Sequence, residues 1–169
     1  MNDKQLVIHP DFTAIAIQLL LAYEWIHGGL GKLSQDQFVM GMNMRLARFA
    51  DGNPHDWYVE TILLTAQNSP QLFGQLVQWG ELLAGTGLLL SAILFYLVKN
   101  SPMRNLVRYT AIAALLGGLT MNLNFYFAAG WSSSSTAGLN ILMFWMHIIL
   151  IHHWLMVTQR KLHIPKSRL

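Results

Sequence analysis

The sequence contains no cysteine. Without a thiol the chain can form no disulfide, no thiolate metal site and no cysteine-ligated iron–sulfur cluster, and it can carry no persulfide. The histidines show no compact ligand spacing, so we expect no metal site. A phosphate-binding glycine loop, a dinucleotide fingerprint and a nucleophile–base motif are also absent, which removes the main signatures of soluble enzymes.

Charged residues are scarce. They make up 11% of the chain, against about 25% in a typical soluble domain. Hydrophobic residues make up 53% and occur in long blocks, which predicts an integral membrane protein with several spans. The sequence shows no surface of interleaved basic and aromatic residues, so we expect no nucleic-acid partner. The N-terminus lacks a clear signal-peptide cleavage site, so we interpret the first apolar block as a retained span.

Four apolar segments are long enough to cross a bilayer. They cover residues 12–33, 73–98, 106–129 and 136–157. Ser69-Pro70 and Ser101-Pro102 each place a favourable N-cap residue before a proline at the first helical position, which predicts helix starts there. The sequence therefore predicts an all-α fold: one membrane domain over residues 1–169, built as a four-helix bundle.

The connection 34–72 is the one long loop between spans. Within it, Gln37–Phe49 places its apolar residues at helical spacing beside Arg45 and Arg48, which is typical of an amphipathic helix lying on a membrane or on a bundle. A turn at 51–54 and a second short helix over 56–67 are predicted to follow.

The placement of lysine and arginine predicts the orientation. With four spans, both termini share a side with the connection 99–105, and that side carries Lys4, Lys99, Arg104, Arg108, Arg160, Lys161, Lys166 and Arg168. The other side carries only Lys32, Arg45 and Arg48. Basic residues accumulate on the cytoplasmic side. We therefore predict a multi-pass protein of the inner (plasma) membrane with both termini, including the basic tail 158–169, in the cytoplasm.

Ionisable residues inside the spans are candidates for function, because they are costly in lipid and seldom retained without a role. Glu24 and His27 lie one helical turn apart in the first span, Glu81 lies in the second and His147 in the fourth. Counting about 1.5 Å of rise per residue from the predicted span ends places all four in the outer half of the membrane. We interpret them as one polar layer that relays protons.

Small residues indicate which face of each helix is packed. Glu24 and His27 share a face with Gly28 and Gly31, so we predict that both point inward toward Glu81, where a shared proton or a Glu–His pair lowers the cost of burial. The alternative is a structural polar knot with no catalytic role.

Asn122 and Asn140 are predicted to belong to the polar core, and buried asparagines in membrane helices commonly serve as hydrogen-bonding links between helices. His27 and His147 differ in predicted depth by about 6 Å, which disfavours bis-histidine haem ligation. The methionines at 40–44 are more typical of apolar packing than of copper binding. We expect neither haem nor a metal.

Two motifs resemble those of the DoxX/DoxD-like membrane proteins. In the first span Glu24-Trp25 is followed by Gly28, Gly31, Lys32 and Leu33, and in the second Gly80-Glu81 precedes a glycine-rich leucine run that ends at Leu90. The connection is similar to the long outer loop of the DoxD branch at Asn53-Pro54, Trp57-Tyr58, Pro70 and Phe73. The resemblance covers most of the chain, and the third and fourth spans match only loosely.

The resemblance implies a four-helix membrane subunit. In the DoxD branch that subunit belongs to thiosulfate:quinone oxidoreductase, which oxidises thiosulfate to tetrathionate and reduces quinone. The matching positions are Glu24, Lys32, Glu81 and Gly85. On this hypothesis quinone is a substrate, and the polar layer supplies its protons.

Thiosulfate is a dianion, so we expect the outer basic residues Lys32, Arg45 and Arg48 to receive it. Two other functions stay open: a non-catalytic accessory subunit that packs in a larger membrane electron-transfer complex, and a small transporter that uses Glu24 and Glu81 as proton sites.

Overall fold

The computed structural model describes residues 12–98 and 101–162, with side chains described through residue 156 except at position 101. Lys4, Lys99, Lys166 and Arg168, on which part of the predicted orientation depends, lie outside the described residues. The described elements, in order, are α1 (Phe12–Leu33), α2 (Met42–Ala50), α3 (Asp56–Tyr58), a π-helical turn (Val59–Leu63), α4 (Leu64–Gln67), α5 (Pro70–Leu97), α6 (Ser101–Ala129), a 3-10 turn (Gly130–Ser132) and α7 (Ser134–Leu162).

The all-helical class is confirmed, and most helix starts follow the predicted signals. Ser69 is the N-cap residue of α5 and Pro70 opens that helix, although the Ser69 hydroxyl makes no capping hydrogen bond. α6 begins at Ser101, as predicted. α2 begins five residues later than the predicted amphipathic helix, because turns occupy the chain up to Gly41.

Within the described residues, three helices are long and apolar enough to cross a membrane: Pro70–Leu97, Pro102–Ser132 and Ser134–Met156. They indicate a protein embedded in lipid. α1 has the bounds predicted for the first span but does not belong to this set, since Gln18, Glu24 and His27 reduce its apolar character. A membrane-spanning role for α1, and with it the four-helix bundle, therefore stays a prediction.

The four long helices pack as neighbours, α1 against α5 and α7, and α6 against α5 and α7. α1 and α5 run antiparallel: Lys32 near the end of α1 meets Glu81 in the first half of α5, whereas Gln18 near the start of α1 meets Ser91. α1 and α5 approach closely because a Cβ at Gly85 would lie 2.6 Å from the backbone nitrogen of Ile26. Only glycine fits at this contact.

Two apolar clusters hold the described structure together. The larger one lies among the long helices and includes Leu21, Leu88, Leu115 and Leu150, each with no exposed surface. The smaller one fixes the connecting segment, residues 34–69, to the start of α5 and the end of α6, through residues such as Leu46. The connecting segment is therefore a packed part of the fold.

Candidate functional site

An ion pair joins the two motifs that carry the family resemblance. The Lys32 ammonium lies 2.8 Å from Oε1 and 2.7 Å from Oε2 of Glu81. The Glu81 side chain is 3% exposed and that of Lys32 is 25% exposed. The carboxylate is therefore buried and depends on Lys32 for its charge compensation, whereas the lysine side chain stays partly exposed.

Aromatic rings and a glycine shape the surroundings of this pair. The Lys32 ammonium lies 5.8 Å from the ring centres of both Phe38 and Phe125, within range of a cation–π attraction. A Cβ at Gly28 would lie 3.0 Å from Oε2 of Glu81, so the glycine leaves the room that the carboxylate occupies. The predicted inward direction of Gly28 is thus confirmed, and it faces an ion pair.

The connecting segment brings an arginine near this pair. The Arg45 guanidinium lies 5.1 Å from the ring centre of Phe38, the ring that Lys32 also contacts. Arg48 is exposed on the same helix. The structure therefore brings Lys32 and Arg45 to one aromatic ring, whereas Arg48 lies exposed on α2. Whether the three bind an anion stays a prediction.

A hydrogen bond between Trp25 and His147 joins α1 to α7. The Trp25 indole N–H donates to Nε2 of His147 over 3.1 Å, and His147 Nδ1 lies 2.7 Å from the carbonyl oxygen of Met143. An indole N–H can only donate. Nε2 must therefore accept, and the proton of the neutral ring resides on Nδ1, which donates to Met143. Both ring nitrogens are engaged, and the side chain is fully buried.

The ring of Phe125 connects this pair to the ion pair, since it lies 6.2 Å from Trp25 and 5.8 Å from the Lys32 ammonium. A Cβ at Gly118 would lie 2.6 Å from Nε2 of His147, so α6 closes directly over the histidine. The predicted inward position of His147 is confirmed. Sequence reasoning missed its partner Trp25, because a tryptophan in a span equally suits the membrane interface.

The prediction that Glu24 and His27 face the interior is wrong. Both side chains are exposed on the outer surface of α1, where His27 stacks on Tyr23 with ring centres 5.6 Å apart. Glu81 pairs with Lys32 and not with Glu24. The physical reason is the close contact between Gly29 and α5. A Cβ at Gly29 would lie 2.8 Å from the backbone nitrogen of Leu82, so the Gly29 side of α1 faces α5.

A second buried polar network, centred on Gln18, was not predicted from the sequence. Gln18 donates through Nε2 to the carbonyl oxygen of Leu88 over 2.8 Å and to Ser91 Oγ over 2.9 Å. Its Oε1 accepts from the Trp154 indole N–H over 3.0 Å. These bonds satisfy the amide and connect α1, α5 and α7. The sequence carried one signal for this network, since Gln18 is a polar residue in line with the buried apolar residues of α1.

Asn122 and Asn140 lie in the buried core as predicted. Asn122 Nδ2 donates to the Asn140 carbonyl oxygen over 2.7 Å, which ties α6 to α7. Asn140 Nδ2 donates to the carbonyl oxygen of Thr136 in its own helix. This is the hydrogen-bonding role that buried asparagines commonly have in membrane helices.

The connecting segment is fastened to α6 by Asn53 and Tyr58. Asn53 Nδ2 donates to the carbonyl oxygen of Phe127 over 3.0 Å, and the Tyr58 hydroxyl donates to that of Asn124 over 3.1 Å. Burial raises the pKa of Tyr58 to about 12. The preceding turn contains Gly52 at φ +71°, a conformation that glycine adopts without strain. These contacts hold α2 over the ion pair.

Comparison with known proteins gives no match: no family model, no curated protein and no solved structure is similar to this chain.

Proposed function

We propose that this chain is a four-helix membrane subunit of the DoxD type, which passes electrons from thiosulfate or a similar donor to quinone. The observation that carries the proposal is the Lys32–Glu81 ion pair. Its two residues come from the two separate motifs of the family resemblance, and they meet at hydrogen-bonding distance. In this proposal α1 also crosses the membrane, because it packs against α5 and α7.

The overall reaction needs protons at the quinone. Two thiosulfate ions, one quinone and two protons give one tetrathionate and one quinol, with two electrons moving from sulfur to the ring. The proposed role of Glu81 is to hold and deliver a proton inside the protein, and that of Lys32 is to balance the charge of the carboxylate. Lys32 is one quarter exposed, so it also connects the buried carboxylate to the outside.

The proposed donor site lies on the outside, next to Lys32 and Arg45. Both cations lie at the ring of Phe38, and their positive charge favours the binding of a sulfur dianion. The catalytic roles predicted for Glu24, His27 and His147 stay predictions. Of these, His147 has both ring nitrogens engaged in hydrogen bonds, which leaves it no free position for a proton.

The second candidate is a non-catalytic accessory subunit in a larger membrane electron-transfer complex. It is favoured by three interior pairs whose members hydrogen-bond to each other: Glu81 with Lys32, Trp25 with His147, and Gln18 with Ser91. Groups paired in this way fix the register of the helices whether or not any chemistry occurs there.

The test uses membranes from cells that express this chain alone. Thiosulfate-dependent reduction of a soluble quinone is measured for the wild type, for Arg45→Gln and, as a control, for Arg104→Gln, which removes an arginine near the start of α6, beside Phe95. The proposal predicts activity in the wild type and a raised KM for thiosulfate in Arg45→Gln. A folded but inactive wild type that co-purifies with stoichiometric partner subunits contradicts catalysis by this chain alone and supports the accessory function.

A further inference from the structure

One face of α1 points away from the rest of the protein. It consists of Leu20, Tyr23, Glu24, His27 and Gly31, which recur at the spacing of a single helix stripe, and we call it the α1 outer face. Leu20 is 59% exposed and Tyr23 61% exposed, and a Cβ at Gly31 would meet nothing within 4 Å. The other side of α1 is covered by α5 and α7.

The acid and the base on this face do not neutralise each other. In the part of the chain that the structure describes, no ion pair or hydrogen bond involves the Glu24 carboxylate, and the His27 ring stacks on Tyr23 instead. With α1 placed in the membrane, this leaves a carboxylate and an imidazole facing hydrocarbon. Ionisable groups at that depth are costly unless they pair with another group.

We propose that a second copy of this chain covers the α1 outer face, with Glu24 of each copy pairing with His27 of the other. The face carries one acid and one base, so it is complementary to itself under a two-fold axis along the membrane normal. The two residues are offset by about 4.5 Å along the helix, a distance that a glutamate side chain spans.

The remaining residues of the face suit close helix packing. Gly31 lies seven residues after Glu24 on the same stripe, and the open space at its position lets a facing backbone approach. Leu20 and Tyr23 supply apolar contact on the other side of the polar pair. This inference rests on the membrane placement of α1 given in the proposed function, but it does not depend on the redox reaction.

The first test uses the absence of cysteine from the chain. Leu20→Cys places a single thiol on the α1 outer face, and Ile149→Cys places one on the exposed side of α7, where Ile149 is 51% exposed. Oxidation of the full chain in lipid vesicles should give a covalent dimer with Leu20→Cys and little with Ile149→Cys. Equal cross-linking of both variants, or none with Leu20→Cys, would overturn the proposal.

The second test measures association by energy transfer between labelled copies diluted in phosphatidylcholine vesicles. Glu24→Gln should weaken association about tenfold, and His27→Glu should abolish it because like charges then face each other. The double variant Glu24→His with His27→Glu should restore association. Glu60→Gln, an exposed acid outside the face, is the matched control and should change nothing.

A wild type that stays monomeric at every dilution overturns the second-copy proposal and directs attention to a different subunit. Failure of the exchanged double variant to restore association overturns the Glu24–His27 pairing. Neither assay requires thiosulfate or quinone, so failure here is distinguishable from failure of the proposed activity.

Discussion

Removal of Lys32 alone should be far more damaging than removal of Glu81 alone or of both residues. Lys32→Met leaves the Glu81 carboxylate, 3% exposed, with no compensating charge. Breaking a buried ion pair in this way costs about 3–5 kcal/mol. We expect about 3 kcal/mol, at the lower end, because the carboxyl group is able to take up a proton and become neutral.

The opposite substitution should be milder. Glu81→Met strands the Lys32 ammonium, but that group is 25% exposed and is able to turn outward to water. We expect a loss of about 1 kcal/mol, in the range of an ordinary hydrogen bond. The double variant places two apolar side chains of similar size together and should cost about 1 kcal/mol or less, since apolar replacements of buried ion pairs are often neutral.

The assay is reversible unfolding of the purified protein in mixed micelles, followed by helix content as denaturing detergent is added. The four proteins form a double-mutant cycle, and the expected coupling between the two residues is about 3 kcal/mol. Glu60→Met removes an exposed acid of the connecting segment and serves as the control for a change of charge. Equal losses from the two single variants, or a double variant whose loss equals their sum, would refute the reasoning.

The other predictions concern close packing, a tautomer and a pH dependence. Gly85→Ala should destabilise the protein by about 1–3 kcal/mol through overpacking against α1, whereas Gly117→Ala, whose Cβ would meet nothing within 4 Å, should be neutral or stabilising in the same unfolding assay. The ¹⁵N NMR spectrum of His147 should show a protonated Nδ1 and an unprotonated Nε2, and Trp25→Phe should remove the Nε2 hydrogen-bond shift; a proton on Nε2 would contradict the assignment. Because burial raises the pKa of Tyr58 from 10.0 to about 12, folding favours its neutral form, so its contribution is complete below pH 10 and is lost as the pH rises toward 12. Limited proteolysis of the connecting segment should therefore accelerate over that pH window in the wild type and less in Tyr58→Phe. Identical pH profiles for the two proteins would contradict this prediction.

The sequence was sufficient for the helix positions and insufficient for their rotation. Long apolar blocks, with proline at the starts of α5 and α6, predict where the helices lie. The run Gly28-Gly29-Leu30-Gly31 offers several small residues, and each indicates a different packed face. Gly29 makes the backbone contact with α5, whereas Gly31 meets nothing. When every face of a helix is largely apolar, periodicity does not choose among them.

The ion pair illustrates a second limit. A depth counted from Cα positions places Lys32 at the outer end of its predicted span, above Glu81. Lys32 was therefore predicted to bind an anion and not to pair with Glu81. Side chains of a helix lean toward its N-terminus, so the long Lys32 side chain extends inward to the level of Glu81. An account based on backbone height alone cannot predict a contact that depends on several side-chain torsions.

The most direct test of the proposed function is the rate of quinone reduction by Glu81→Gln, with thiosulfate as donor and with the amount of folded protein matched to the wild type by helix content. Glutamine keeps the size and hydrogen-bonding capacity of the side chain but cannot deliver a proton. The proposal predicts a loss of at least about tenfold in kcat, in the range that general acid catalysis contributes. A rate equal to that of the wild type would contradict a role for Glu81 in the reaction.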